Sequence, residues 1–446
     1  MPTAFDSDQR PLTDVNEWLL SLASTHSRET WWTYAREVVR FAAHLEHFGL
    51  ALLSKEVAHN GDELLRAYQL QCTRPDLEDA TASPVGDTAS TIGKRRAAIS
   101  QFYGWAVRAG RIAAMPFAQK EVRTRFGRVE VLAGLGGGRR SRVERQPIPH
   151  HQLEPFLRVG LMGLRPDGAP DPAFRGFVAA QRNAAGFALA VGAGLRHAEV
   201  LAFTVFELPL AHPDGFAPLA VADETAKGDV GRRVIAFSRW LRVVHAYVDG
   251  DRRAIAQGAT WQPDRPLEVI PGRTSRRNVT FIVGGRPITK RWRDLGVDVR
   301  RRLVLPGGGS PLLLLNHRTA NGAPLTDTST LNDALRLAGA RAAALWPDDE
   351  WSYSMHNLRH TYATELTSFL AHGREEAVGF QARHGRRPVW GELVARESAV
   401  VLVQESMGHA SPATTQIYQH AALWNLLLSV NADPEHNPAA SERVGV

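Results

Sequence analysis

Six side chains in this 446-residue chain are of the types, and in the order, that phosphoryl transfer requires. They are Arg196, Lys227, His356, Arg359, His409 and Tyr418, carried by the segments GAGLRHAEVLAF, AKGDVG, MHNLRHTYATEL and SMGHASPATTQIYQH. Each segment is ordinary when read alone. Arg196 with Glu199 one turn on also reads as a surface pair at i,i+3. A lysine at a turn is usually just solvated, and a tyrosine two turns into a helix is usually a packing residue. The set taken in order reads differently. Two guanidinium groups can hold both non-bridging oxygens of a phosphate and balance the charge of a transition state. A tyrosine hydroxyl, with a reference pKa of about 10, can attack phosphorus where cations and a base favour phenolate. A lysine can protonate the leaving oxygen, and two imidazoles can donate hydrogen bonds or relay protons. Such a site is expected to need no metal and no cofactor. A metal-binding pair of His356 and His360 is the competing reading, but Asn357 stands where a zinc-hydrolase helix carries glutamate.

Local structure must position these groups. Gly192 and Gly194 are expected to end one helix, and Arg196 to open the next. The stretch LAVADETAKGDVGRRVIAF alternates around a glycine-containing turn, which predicts a hairpin with Lys227 at its tip. Leu358, Tyr362, Leu366, Phe369 and Leu370 form a helical apolar stripe, with His356 just before that helix and Arg359 in its first turn. Two cationic groups at the positive end of a helix are unfavourable unless an anion sits there. Ser411 and Pro412 are a good cap and first-turn pair for a helix that would carry Tyr418.

The rest of the chain divides by pattern. Residues 12–118 read as a helical domain. Residues 119–146, with eight basic and three acidic side chains and the run Gly136–Gly138, read as a basic linker, either a solvated tether or a strap along phosphates. Residues 147–430 are of mixed pattern and would form a second domain, and 431–446 a disordered polar tail. Within the second domain, 251–310 and 371–397 look like insertions. Lys and Arg outnumber Asp and Glu by 53 to 46, a net charge of +7 that is compatible with a polyanionic partner. The single cysteine, Cys72, excludes an intramolecular disulfide framework and any multi-cysteine zinc site. The opening MPTAFDSDQRPLT lacks a signal-peptide pattern, and no apolar run is long enough for a membrane span, so a cytoplasmic location is expected.

GLRHAEVLAF, AKGDVGRRVIAF, HNLRHTYATEL and MGHASPATTQIYQH resemble the segments of the tyrosine recombinases, or phage-type integrases. The helical region with TIGKRRAAISQFYGWAVRAGRIAAMPF looks like that family's core-binding domain, so the resemblance spans residues 12 to about 425. It implies a mainly α fold with a small antiparallel β-sheet. A helical core-binding domain and a mixed α/β catalytic domain would close as a C-shaped clamp on duplex DNA. By resemblance, Arg196 and Arg359 bind the scissile phosphate, Tyr418 is the nucleophile and Lys227 the general acid. His356 assists proton transfer, His409 binds phosphate, and Glu199 supports the first arginine. The family further implies a 3′-phosphotyrosyl intermediate, specific core sites, a tetramer on two DNA sites, accessory directionality proteins and a mobile-element context. A type IB topoisomerase-like enzyme shares this chemistry, and a non-catalytic DNA-binding protein could share the scaffold.

Overall fold

The computed structural model describes residues 2–22, 25, 26, 28–73, 86–124, 127–133, 135, 146–212, 215–225, 231–384 and 399–407. The chain divides into two compact units, Met1–Glu144 and Arg145–Val446.

The first unit holds helices α1 (Thr13–Ser21), α2 (Arg28–Glu46), α3 (Lys55–Thr73) and α4 (Ala89–Arg108). Apolar residues recurring every three or four positions, such as Val38, Phe41, Ala42 and Leu45 of α2, face a shared core. Aromatic rings dominate that core and meet edge to face: Trp18 and Phe102 at 5.5 Å, Phe41 and Tyr68 at 5.1 Å, Tyr103 and Phe117 at 4.8 Å. Thr88 caps α4 by accepting the Thr91 amide at 3.2 Å.

The segment read as a basic linker begins instead with an antiparallel hairpin, β1 (Gln119–Thr124) and β2 (Gly127–Leu132). Leu132 and Leu135 are fully buried in the first unit's core, and the Arg96 guanidinium donates to the Leu135 carbonyl at 3.4 Å. These apolar anchors give the hairpin a fixed place that the count of arginines conceals. Arg139, Arg140, Arg142 and Arg145 lie outside the described residues.

The second unit is built around α6 (Phe177–Ala193), which follows α5 (His150–Pro155) and a π-helical turn at Phe156–Leu161. Ala184, Ala185, Phe187, Ala188, Leu189, Ala190 and Val191 of α6 are all buried, as a helix enclosed on every side requires. After α7 (His197–Ala202), strands β3 (Phe216–Val221) and β4 (Arg232–Phe237) pair antiparallel, as expected for that hairpin. Helix α8 (Ser238–Asp249) packs Trp240, Leu241, Val244 and Tyr247 inward. It comes so close to α6 that a Cβ on Gly192 would lie 2.4 Å from that of Trp240.

The region read as a first insertion folds as a small subdomain. It starts with α9 (Asp251–Gln257) and continues through β5 (Leu267–Glu268), β6 (Asn278–Val283), β7 (Arg286–Arg291), α10 (Val297–Arg300) and β8 (Leu303–Val304). The β6–β7 pair is antiparallel and β5–β8 is a short parallel pair. Leu267, Val269, Val279, Phe281, Trp292, Leu295 and Leu303 form its own core.

Helices α11 (Ser329–Leu345), α12 (Met355–His384) and α13 (Ala399–Met407) complete the described chain. Helix α12 runs on through His384, into the stretch read as a second insertion. The fold is thus mainly helical with small antiparallel hairpins. Among the described residues, no helix is long and apolar enough to cross a membrane.

Candidate active site

The site begins where α6 stops. Gly194 takes the left-handed conformation with φ of +61°, and a Cβ there would fall 2.3 Å from the Tyr362 ring. Glycine is therefore required both for the turn and for the close approach. Two residues on, Arg196 caps the N-terminus of α7. Glu199 reaches back with Oε2 to accept the Arg196 amide at 2.7 Å, while Oε1 accepts Arg196 Nη1 at 2.9 Å. This is the glutamate half of a capping box; the guanidinium has no acceptor to supply the other half, and the carboxylate instead fixes the first arginine close to its backbone.

Glu199 also holds a second arginine that the sequence reading did not single out. Arg232 of β4 donates Nη1 to Oε1 at 2.7 Å and Nη2 to Oε2 at 2.8 Å. Its Nε donates to the Ser406 carbonyl of α13 at 2.7 Å, and the side chain is 5% exposed. Burial alone would raise the Glu199 carboxyl, but the hydrogen bonds and charge of Arg232, together with Arg196, bring it down to about 2. The signal was present in the strand period. Arg232, Val234 and Ala236 share one face of β4, and the two apolar members are buried, so Arg232 is carried inward with them and needs a carboxylate.

The opposite wall comes from α12. The Asn357 side chain accepts both the Ser354 amide and its hydroxyl, at 3.0 and 2.6 Å, so the helix starts at Met355 and His356 lies in its first turn rather than before it. His356 is exposed, and its ring meets that of His360 edge-on at 4.5 Å. Arg359, one turn further, is 4% exposed, and its guanidinium donates to the carbonyls of Gly194 and Met407. Arg196 Nη2 donates to the same Met407 carbonyl at 3.4 Å. The two arginines expected to act together thus meet at the last described residue before GHASPATTQIYQH. Tyr362, on the same helix, is fully buried; its hydroxyl donates to the Ile235 carbonyl at 2.9 Å, and burial pushes its pKa up to about 12.

Val221 and Arg232 are the last paired residues of the β3–β4 hairpin, at its turn end. Beyond them Asp223 closes the turn, its Oδ1 accepting the Gly231 amide at 2.8 Å. Its Oδ2 accepts Nε and Nη2 of Arg293 from the small subdomain, at 2.8 and 2.6 Å. Lys227, His409 and Tyr418 lie outside the described residues. The structure therefore brings Arg196, Glu199 and Arg359 together, sets His356 one turn from Arg359, and adds Arg232.

No family model matches the chain, and no curated protein matches it. Solved structures do. One is the XerH site-specific recombinase in a post-cleavage complex with a palindromic difH substrate, 14% identical, covering 94% of each chain with a TM-score of 0.47. Another is the Tn1549 transposon integrase in complex with transposon right-end DNA, 12% identical, covering 97% of this chain and 99% of that one with a TM-score of 0.49.

Chemically, the described part of the site offers two convergent guanidinium groups held by carbonyls and a carboxylate that stays ionised at neutral pH. Such a set suits a phosphate diester, whose charge it can match without a proton changing hands.

Proposed function

We propose that this chain is a tyrosine recombinase. It cuts and rejoins duplex DNA by metal-free transesterification through a 3′-phosphotyrosyl intermediate, and it acts at specific sites as a tetramer on two DNA segments. The observation that carries this reading is the convergence of Arg196 and Arg359 on the Met407 carbonyl, at the threshold of the segment bearing His409 and Tyr418. In the reaction the two arginines bind the non-bridging oxygens of the scissile phosphate. Tyr418 attacks phosphorus, forming the Tyr–O–P bond as the bond to the 5′-oxygen breaks. Lys227 hands its proton to that departing oxygen, and His356 assists the proton transfers. His409 donates a hydrogen bond to the phosphate. A second strand's 5′-hydroxyl then reverses the step on a new partner.

The tyrosines support assigning attack to Tyr418. The chain has seven, and burial pushes up all six described ones: Tyr34, Tyr68, Tyr103, Tyr247, Tyr353 and Tyr362. Five of these also place the hydroxyl in a hydrogen bond within the protein, Tyr34 being the exception. A phenol so held is a poor nucleophile. The helical first unit would serve as the core-binding domain and the second as the catalytic domain.

The test is a duplex nicked beside the cleavage site, incubated with the protein in excess chelator. Wild type is expected to accumulate a covalent protein–DNA complex, and Tyr418→Phe, which loses only a hydroxyl, to bind without forming it. Loss of cleavage in chelator with recovery on added Mg²⁺ or Zn²⁺ would contradict the metal-free mechanism.

A further inference from the structure

We infer that the groove between the β3–β4 hairpin and the small subdomain is a second phosphate-binding surface, which takes the backbone of duplex DNA running on from the site at Arg196 and Arg359. This rests on the reading of the chain as a DNA-cutting enzyme. The groove has a volume of about 980 Å³ and is lined by Arg232, Arg233, Arg276, Arg277, Arg291 and Arg293. Among the described lining residues, two carboxylates stand against these six cations, Glu207 and Asp223. Glu207 is engaged by Arg300 through both oxygens, Asp223 holds Arg293 and Glu199 holds Arg232, which leaves Arg233, Arg276, Arg277 and Arg291 as the cations the groove presents. Arg233, Arg276, Arg277 and Arg291 are exposed, and the Arg291 ion pair with Asp294, at 3.4 Å, is itself in solvent. Cations gathered along a cleft repel one another and focus a positive field into it, which an anion relieves.

The arrangement favours a linear polyanion over a small one. The arginines are spread along β4, the loop before β6, the end of β7 and the turn after it rather than gathered at one point. Arg232 belongs to both the groove and the Glu199 cluster, so the groove is continuous with the candidate active site. The walls are also tied together. Arg293 bridges to Asp223, and Arg276 Nη2 donates to the Pro218 carbonyl of β3 at 3.4 Å. On the subdomain side, buried Trp292 stacks on Phe206 at 6.0 Å and donates its indole N–H to the Ser275 carbonyl at 2.9 Å. A groove held open in this way needs little ordering to receive a backbone. The insertion therefore supplies grip on the nucleic acid, and it does so without reading sequence.

The test uses the full chain with Arg276, Arg277 and Arg291 all changed to alanine. All three are exposed, so the melting temperature is expected to match wild type. Affinity for a duplex of arbitrary sequence is measured across a salt series. The slope of log K against log salt is expected to flatten by about 0.9 for each lost phosphate contact, up to roughly 2.7 in all. Should the triple variant melt early, the pair Arg276→Gln and Arg277→Gln gives the same comparison, with up to about 1.8 lost. Wild-type slope in a folded variant overturns the proposal while leaving the DNA reading in place. Weaker binding of inorganic phosphate with an unchanged duplex slope also overturns it, marking a small-anion site. A wild-type protein with no salt-dependent affinity for any duplex overturns both.

Discussion

Glu199 and Glu207 are eight residues apart, and each is buried against an arginine, but the two clusters are built to different ends. Arg300, 1% exposed, places every N–H it has: two on the Glu207 carboxylate and three on the carbonyls of Ala202, Leu295 and Trp292. It is a closed staple that pins the small subdomain to the end of α7. Glu199 grips the equally buried Arg232 but shares its oxygens with Arg196, which remains 28% exposed. One guanidinium is saturated by protein; the other is braced from behind and keeps an edge toward solvent. The same pair chemistry thus yields a structural lock in one place and a part-exposed cation in the other.

The comparison separates stability from activity. Arg300→Ala leaves the Glu207 carboxylate buried without its partner and is expected to destabilise the fold by about 3–5 kcal/mol, read from urea unfolding. Arg196→Ala is expected to do the reverse. Unfolding should stay near wild type while DNA cleavage falls by about 10²–10³, the usual worth of one donor to a developing oxyanion. If Arg196→Ala unfolds the protein and Arg300→Ala only slows cleavage, the assignment of the two clusters is inverted.

Acid separates them further. The Glu199 carboxyl, ordinarily near 4.5, lies at about 2 in the folded chain. Its depressed pKa contributes stability that is fully present above the ordinary value and is lost as pH falls through about 2. The contribution is on the order of 3 kcal/mol. Unfolding free energy measured between pH 5 and pH 2 (about the range where this carboxyl titrates) should fall more steeply in wild type than in Glu199→Gln. Parallel curves would mean that Glu199 is not the titrating group. Gly194→Ala acts on stability and activity at once: a left-handed residue costs about 1–2 kcal/mol, and the new methyl, 2.3 Å from the buried Tyr362 ring, adds overpacking of about 1–3 kcal/mol. Because the Gly194 carbonyl accepts from Arg359, this variant should lose cleavage as well as stability, whereas a merely strained loop would lose stability alone.

Much of this was legible in the sequence because it is local. The Gly194 turn, the Arg196 cap and the Glu199 return all lie within six residues, and short-range geometry decides them. The apolar stripe of α12 and the alternation of β3 and β4 likewise needed only their own periods. Long-range pairings were harder to see. Arg232 belongs to a basic doublet after a glycine, a local pattern that a solvated tip shares. Its burial depends on Glu199 33 residues away. The small subdomain is harder to read because two of its arginines are core residues, Arg252 satisfied by carbonyls and Arg300 by carbonyls and the Glu207 carboxylate, a use of charge that composition cannot distinguish from surface. The β1–β2 hairpin was hidden in the same way, its apolar anchors outnumbered by arginines. Helix α12 passes its apolar stripe and continues through a polar run, which period-based reading ends too early.

The proposed reaction forms one bond that can be observed directly, between the Tyr418 side-chain oxygen and a DNA 3′-phosphate. Mass spectrometry of a protease digest of the covalent complex would locate it directly. The nucleotide remnant is expected on the peptide carrying Tyr418 and to be released by a phosphotyrosyl-cleaving enzyme. A remnant on any of the other six tyrosines, or on a serine, would contradict the mechanism proposed for this chain.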